Sequence, residues 1–181
     1  MRTVVVGGSA RNVGKTSLIC GLISAMPECP WTTVKITSHY HGKSAAIWEE
    51  TQGGQGTDTA RYLAAGARRA LLVTACDGII PTAELQAAIA DDRWLIFETN
   101  QIQSPHRPDV VLALIGPEET EAKPSFAAVS QHADAFVCTS RSACSLEADP
   151  RPTFVLQDLQ QPSPELIHWM RARLGSSAQA R

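Results

Sequence analysis

A three-layer α/β/α sandwich built on a mostly parallel sheet is the fold class the sequence predicts, and three observations predict it. Short apolar runs alternate with helical patterns along the whole chain, as expected of a sheet covered by helices on both faces. The chain opens with Val4-Val5-Val6, a glycine pair and Gly14-Lys15-Thr16-Ser17, the order in which a buried strand feeds a phosphate-binding turn and then a helix. Its 181 residues are enough for one such domain with a well-buried core.

Each element follows from local pattern. Residues 2–6 form the first strand and 14–26 the first helix, with Leu18, Ile19, Leu22 and Ile23 on its apolar face and Pro27 ending it. Residues 32–36 are a second strand. The polar stretch 37–56, with Gly53-Gly54-Gln55-Gly56, reads as a mobile active-site loop. Residues 58–65 read as a helix capped by Thr57 or Asp58 and closed by Gly66. Strands follow at 69–74, 93–98, 110–115, 135–139 and 153–156. Helices are expected at 81–90, opening on a proline, and at 123–132 and 164–174. The sequence divides into a single domain over 1–174 and a small, polar tail at 175–181 that is expected to fray.

Composition narrows the function. With 44% hydrophobic and 19% charged residues the chain is ordinary for a globular protein. A net charge of −2 offers no broad positive field, so a nucleic-acid partner is not expected. No apolar run reaches the roughly 18–20 residues that span a bilayer, so no membrane partner is expected either. The chain enters a strand at once without a signal-peptide pattern, and the expected location is the cytoplasm. Five cysteines at 20, 29, 76, 138 and 144 are odd in number and not closely paired. They predict no disulfide framework and no zinc ribbon, and Cys20 and Cys138 are expected to pack as small hydrophobes.

The chemistry begins at the turn after the first strand. Backbone N–H groups of Gly8, Ser9, Arg11, Asn12, Val13 and Gly14, with Lys15, Thr16 and Ser17 opening the helix, are placed to cradle a nucleoside triphosphate, ATP or GTP. Lys15 is the residue to reach the β- and γ-phosphates, and the Thr16 hydroxyl the one to face Mg²⁺. The usual pattern places glycine at both ends of this turn; here Ser9 stands at the first position.

In an open α/β sheet, ligands bind beyond the carboxyl ends of the strands. Glu98 ends the strand Trp94-Leu95-Ile96-Phe97 and is the acid best placed to hold Mg²⁺, with Asp58 second. Lys35 ends the second strand and is a candidate to stabilise charge on a transferred phosphoryl group. Ser38, His39 and His41 follow it. In an extended segment the two histidines face one side and suit a substrate or phosphate better than a metal. Thr139-Ser140-Arg141 and residues 156–161 are candidates for base contacts.

The phosphate loop, Val34-Lys35-Ile36-Thr37-Ser38-His39-Tyr40-His41-Gly42 and Thr57-Asp58-Thr59-Ala60-Arg61-Tyr62-Leu63-Ala64-Ala65-Gly66-Ala67 together resemble the molybdopterin-guanine dinucleotide biosynthesis protein B (MobB) family. Glu98 matches that family's glutamate at the end of a later strand, although Thr99-Asn100 follow it where the family has glycine. The resemblance covers about the first hundred residues and implies a P-loop NTPase-like fold, distantly similar to dethiobiotin synthetase. It implies that Lys15 and Lys35 serve the reaction and that Thr16, Asp58 and Glu98 hold Mg²⁺. It also implies GTP or ATP binding with slow hydrolysis in molybdenum-cofactor maturation. A pterin cofactor, or a cofactor-synthesis enzyme, is the partner the resemblance suggests, and homodimerisation is expected on that ground alone. Two other functions compete. An ATP-dependent small-molecule kinase or ligase uses the same lysines. A GTP switch needs Asn-Lys-X-Asp, which the chain lacks.

Overall fold

The computed structural model describes residues 1–37, 45–76, 79–101, 108–117, 123–139 and 149–176. The elements run β1 (Arg2–Gly8), α1 (Lys15–Ala25), β2 (Thr32–Thr37), β3 (Ala46–Glu49), α2 (Asp58–Ala64), β4 (Arg69–Thr74) and α3 (Thr82–Ala88). Then come β5 (Trp94–Glu98), β6 (Val110–Ile115), α4 (Phe126–His132), β7 (Ala135–Cys138), β8 (Thr153–Val155) and α5 (Pro164–Ser176).

The strands form one sheet in the order β3-β4-β2-β5-β1-β6-β7-β8. Every pairing is parallel except that of β3 with β4. Alternation along β1 builds the three layers. Val4 and Val6 face a core shared with Leu18, Leu22 and Ile23 of α1, Tyr62 of α2 and Leu166 and Met170 of α5. Val5 faces the opposite layer, where Val129 of α4 meets Val111 and Phe136. Leu85 of α3 covers Val34, Leu71 and Leu95 on that second side. The valine run is continuous because both faces of this central strand are buried.

The amino ends of the strands are fixed by carboxylates. Asp109 accepts the Thr3 N–H at 2.8 Å, and Asp134 accepts the Val111 N–H at 2.9 Å. Asp92 is buried and accepts from the Thr32 hydroxyl at 2.7 Å and from Arg69, which also grips Glu49 of β3 through two 2.8 Å bonds. These ties leave the opposite, carboxyl edge free for a site.

Several expectations need correction. The stretch read as one loop over 37–56 contains β3, a four-residue edge strand. Its side chains are only half covered, so it lacks the apolar run that marks the inner strands. Helix α1 begins one residue later than expected and α3 is shorter at both ends. Helix α4 starts at Phe126. Helix α5 continues through Gly175 to Ser176, so the first two residues of the expected tail are helical and the rest lie outside the described residues. Cys138 is buried, as expected, but it is disulfide-bonded, whereas Cys20 and Cys29 are free thiols. An odd cysteine count argues against a framework of bridges, but it does not address one bridge among five. Cys144 lies outside the described residues.

Helix α4 approaches β1 closely enough to demand glycine. A Cβ on Gly7 would stand 2.5 Å from Val129 Cγ1. Gly7→Ala is expected to cost about 1–3 kcal/mol in urea unfolding. Adding Val129→Ala is expected to cost less than the two single changes summed; strict additivity would refute this contact.

Candidate nucleotide site

Strand β1 ends at Gly8 and the chain turns before entering α1 at Lys15. Gly14 makes the turn with φ 103°, a left-handed conformation that strains any side chain. Asn12 also lies on the left-handed side, at φ 57°. The root of the turn is bolted to its neighbours. Ser9 donates its N–H to the Leu114 carbonyl at 2.9 Å, and its hydroxyl accepts the Gly116 N–H at 2.8 Å. Lys123 donates its N–H to the Ser9 carbonyl at 2.8 Å. The Asn100 amide closes on Gly8 from β5, accepting its N–H at 2.8 Å and donating to its carbonyl at 2.9 Å. Ser9 is buried, and its hydroxyl carries out an anchoring task that glycine has no atom for.

Residues 11–17 line a cavity of about 630 Å³ whose other walls include Lys35, Asp58, Arg61, Glu98, Asn100 and Lys123. Gly8 and Ser9 stand behind the turn and are not among its lining residues. Strand register explains why the charged groups meet. Val6 and Lys35 both pair with Glu98, so Lys35 lies level with the end of β5, and β1 runs two residues further into the turn. Helix α2, capped by the Thr57 hydroxyl on the Ala60 N–H at 3.1 Å, brings Asp58 to the same place.

Glu98 is the hub, with a side chain only 7% exposed. Its Oε2 accepts from the Thr16 hydroxyl at 3.0 Å and from the Tyr62 hydroxyl. Its Oε1 faces Lys35 Nζ at 3.2 Å and Lys15 Nζ at 3.9 Å. Lys35 also bonds Asp58, and Arg61 lies 3.6 Å from the other Asp58 oxygen while donating to Ser17 at 3.2 Å.

The two lysines differ electrically. Burial lowers the Lys15 pKa; Glu98 offsets this only in part, and Lys123 and Lys35 add to the lowering. Burial also works against the Lys35 charge, but Glu98 and Asp58 outweigh it and raise its pKa. Burial opposes the Asp58 charge too, and Lys35, Thr16 and Arg61 together hold its pKa below the ordinary value.

The residues present fit a Mg²⁺ ion. Thr16, Asp58 and Glu98 offer a hydroxyl and two carboxylates, the hydroxyl bonded to Glu98 and both carboxylates meeting at Lys35, with no nitrogen or sulfur among the three. Among the described residues, no group of three or more His, Cys, Asp or Glu gathers to hold a metal without help. Mg²⁺ suits such a sparse oxygen set, because it keeps waters and takes its remaining oxygens from bound phosphates.

No protein-family model and no curated protein matches the chain. Two solved structures do resemble it. One is an X-ray crystal structure of a MobB protein homolog from Bacillus stearothermophilus, with TM-score 0.53 and 18% identity over 97% of this chain and 99% of that one. The other is Bacillus subtilis MobB, with TM-score 0.51 and 15% identity over 96% of this chain and 98% of that one. The chain has the MobB fold.

Within the MobB fold, the structure brings Lys15, Thr16, Lys35, Asp58 and Glu98 together as the sequence suggests. Arg11, Asn12, Val13, Gly14 and Ser17 lie on the same cavity wall. Ser38, His39, His41, Ser140 and Arg141 lie outside the described residues. Thr139 is exposed and does not line the cavity, and Leu159 packs behind it, against the Cβ position of Gly14. Asn100, expected beyond Glu98 at the strand ends, does reach the turn, while sequence reasoning missed Tyr62 and Lys123. It also missed Arg61, which the Asp58 spacing of three residues on one helix signals.

The depressed Asp58 pKa has a consequence for stability. A carboxylate whose folded pKa lies below its unfolded value near 3.9 adds stability above that pH and loses it as pH falls through the folded value. Asp58→Asn is therefore expected to be less stable than the parent at pH 7, with the gap closing below about pH 4. Urea titrations across pH 2–7 check this, and a gap that persists at the acid end would contradict the assignment.

Proposed function

We propose that the chain binds a nucleoside triphosphate with Mg²⁺ in the cavity over the Gly14 turn, hydrolyses it slowly, and serves molybdenum-cofactor maturation as an accessory protein. The observation that carries this reading is the convergence on Glu98 of Lys15 and Thr16 from the turn and of Lys35 from the next strand. That is the donor set phosphoryl transfer needs: cations for the phosphate oxygens beside a hydroxyl and carboxylates for the metal. Lys15 and Lys35 bind the terminal phosphates, and the turn fixes their orientation for in-line attack by water. Thr16, Asp58 and Glu98 would hold Mg²⁺, which would supply positive charge to neutralise the phosphate oxygens. The maturation role is supported by the ordered residues around Lys35, Asp58 and Glu98 and by the fold shared with two MobB structures.

Calorimetry with ATP and GTP in the presence of Mg²⁺, on the parent chain and Lys15→Ala, tests this. Micromolar binding of one nucleotide, weakened at least tenfold in the variant, is the expected result. GTP selectivity supports the accessory role, and absence of binding to either nucleotide overturns the proposal.

A second cleft favours an alternative. It has a volume of about 640 Å³, shares Lys35, Asp58 and Arg61 with the nucleotide cavity, and is walled by Trp48 and Leu72. Trp48 is 42% exposed there, a flat apolar surface within reach of the lysine. An ATP-dependent kinase or ligase needs such an adjoining acceptor space. ATP selectivity, with turnover that rises at least tenfold when an acceptor from a screen of small carboxylates and amines is added, would decide for it. Turnover unchanged across the screen would decide against it.

A further inference from the structure

Four side chains surround the Glu98 carboxylate, and one of them differs in kind. Lys15, Thr16 and Lys35 line the nucleotide cavity and are available to whatever enters it. Tyr62 does not line the cavity. It is fully buried in the core beneath α1 and the sheet, among the largest enclosed side chains. Its hydroxyl donates to Glu98 Oε2, the oxygen to which the Thr16 hydroxyl also donates. Phenylalanine would fill the same apolar space without a polar atom to satisfy, and a buried hydroxyl is retained at a cost unless it is paired. Here the pairing is with a carboxylate that faces the cavity.

Helix geometry makes Tyr62 a firm support. It follows Asp58 by four residues, so one turn of α2 presents both side chains on the same flank. The helix is tied to α1 by Arg61 on Ser17 at 3.2 Å and by the Ser24 hydroxyl on the Ala65 carbonyl at 3.1 Å. Thr16, Asp58 and Glu98 thus come from three elements, and Tyr62 ties the Glu98 carboxylate of β5 to α2, which carries Asp58.

We infer that Tyr62 is a positioning residue for the divalent-cation site, holding Glu98 Oε2 from behind so that Glu98 Oε1 faces the cavity. The inference rests on the Mg²⁺-nucleotide reading above. Lys15 and Lys35 are the side chains that phosphate would recruit, and a hydroxyl sealed in the core is the one partner of Glu98 that no ligand competes for.

Tyr62→Phe, titrated with ATP and GTP by calorimetry at graded Mg²⁺, tests it. Nucleotide affinity without Mg²⁺ is expected to stay within about twofold of the parent, while the Mg²⁺ concentration giving half the tightening rises about tenfold or more. An unchanged Mg²⁺ dependence would overturn the inference. So would an equal loss of affinity with and without Mg²⁺, which is what a loosened core produces. Should the variant fail to fold, a second measurement decides. The chain has two tyrosines, so 3-fluorotyrosine incorporated into Tyr40→Phe reports on Tyr62 alone. Its fluorine resonance is expected to move when Mg²⁺ is added to the nucleotide complex, and a stationary signal would overturn the inference. A parent chain that binds neither nucleotide removes the parent reading and this inference with it. Normal parent binding with an unaltered Mg²⁺ response in Tyr62→Phe removes this inference alone.

Discussion

A carboxylate enclosed at the end of a central strand must be paired with donors and cations, because leaving it unpaired away from water costs several kcal/mol. Glu98 imposes that requirement on the structure around it. Strand β5 lies between β1 and β2, so the partners of Glu98 come from the elements that flank it. The turn after β1 delivers Lys15 and Thr16, the carboxyl half of β2 delivers Lys35, and α2 delivers Tyr62 from the core. The register that pairs both Val6 and Lys35 with Glu98 is therefore the point where fold and chemistry depend on one another. A slip of one residue in either ladder would turn the paired side chain to the other face of the sheet and separate these groups.

The two edges of the sheet handle charge differently. At the amino edge, Asp109 and Asp134 accept strand N–H groups, and Asp92 meets Thr32 and Arg69. Those carboxylates complete the backbone of the scaffold. At the carboxyl edge the polar groups bond one another across a cavity, and their arrangement is one that an entering anion or cation can reorganise. Parallel topology produces this division, since every inner strand ends on the same side and the crossover helices cover only the faces.

The sequence made the scaffold legible where physical signals were local. Val4-Val5-Val6 and residues 110–115 are apolar because both of their faces are covered, and that pattern is visible without coordinates. Gly66, at φ 107°, stops α2 where its glycine suggested. Lys15, Thr16, Asp58 and Glu98 were legible because each sits at or beside an element boundary, and Lys35 because its charge interrupts the apolar pair Val34 and Ile36 within β2. The remainder depends on contacts distant in the chain. Tyr62 reads as one more apolar residue on a helix face, and only its separation of 36 residues from Glu98, closed by folding, shows that the hydroxyl has a partner. Asn100 grips Gly8 across 92 residues in the same hidden way. Strand β3 escaped because an edge strand paired on one side needs no apolar run. The bond at Cys138 escaped because counting cysteines gives parity and not proximity.

Charge balance in the cavity carries the synthesis one step further. Arg11, Lys15, Lys35, Arg61 and Lys123 line it against the carboxylates of Asp58 and Glu98, a local excess of three positive charges in a chain whose net charge is −2. So strong a local reversal is unfavourable in the absence of an anion, and Lys15 registers it: burial, Lys123 and Lys35 all depress its pKa, and Glu98 alone does not restore it. The Lys35 charge is matched by Asp58 and Glu98, whereas that of Lys15 is not. An anion of several charges placed over the Gly14 turn would relieve that imbalance where it is greatest, at the lysine nearest the turn's N–H groups. The site is therefore built with an electrostatic deficit that a polyphosphate fits and that a neutral ligand would leave in place.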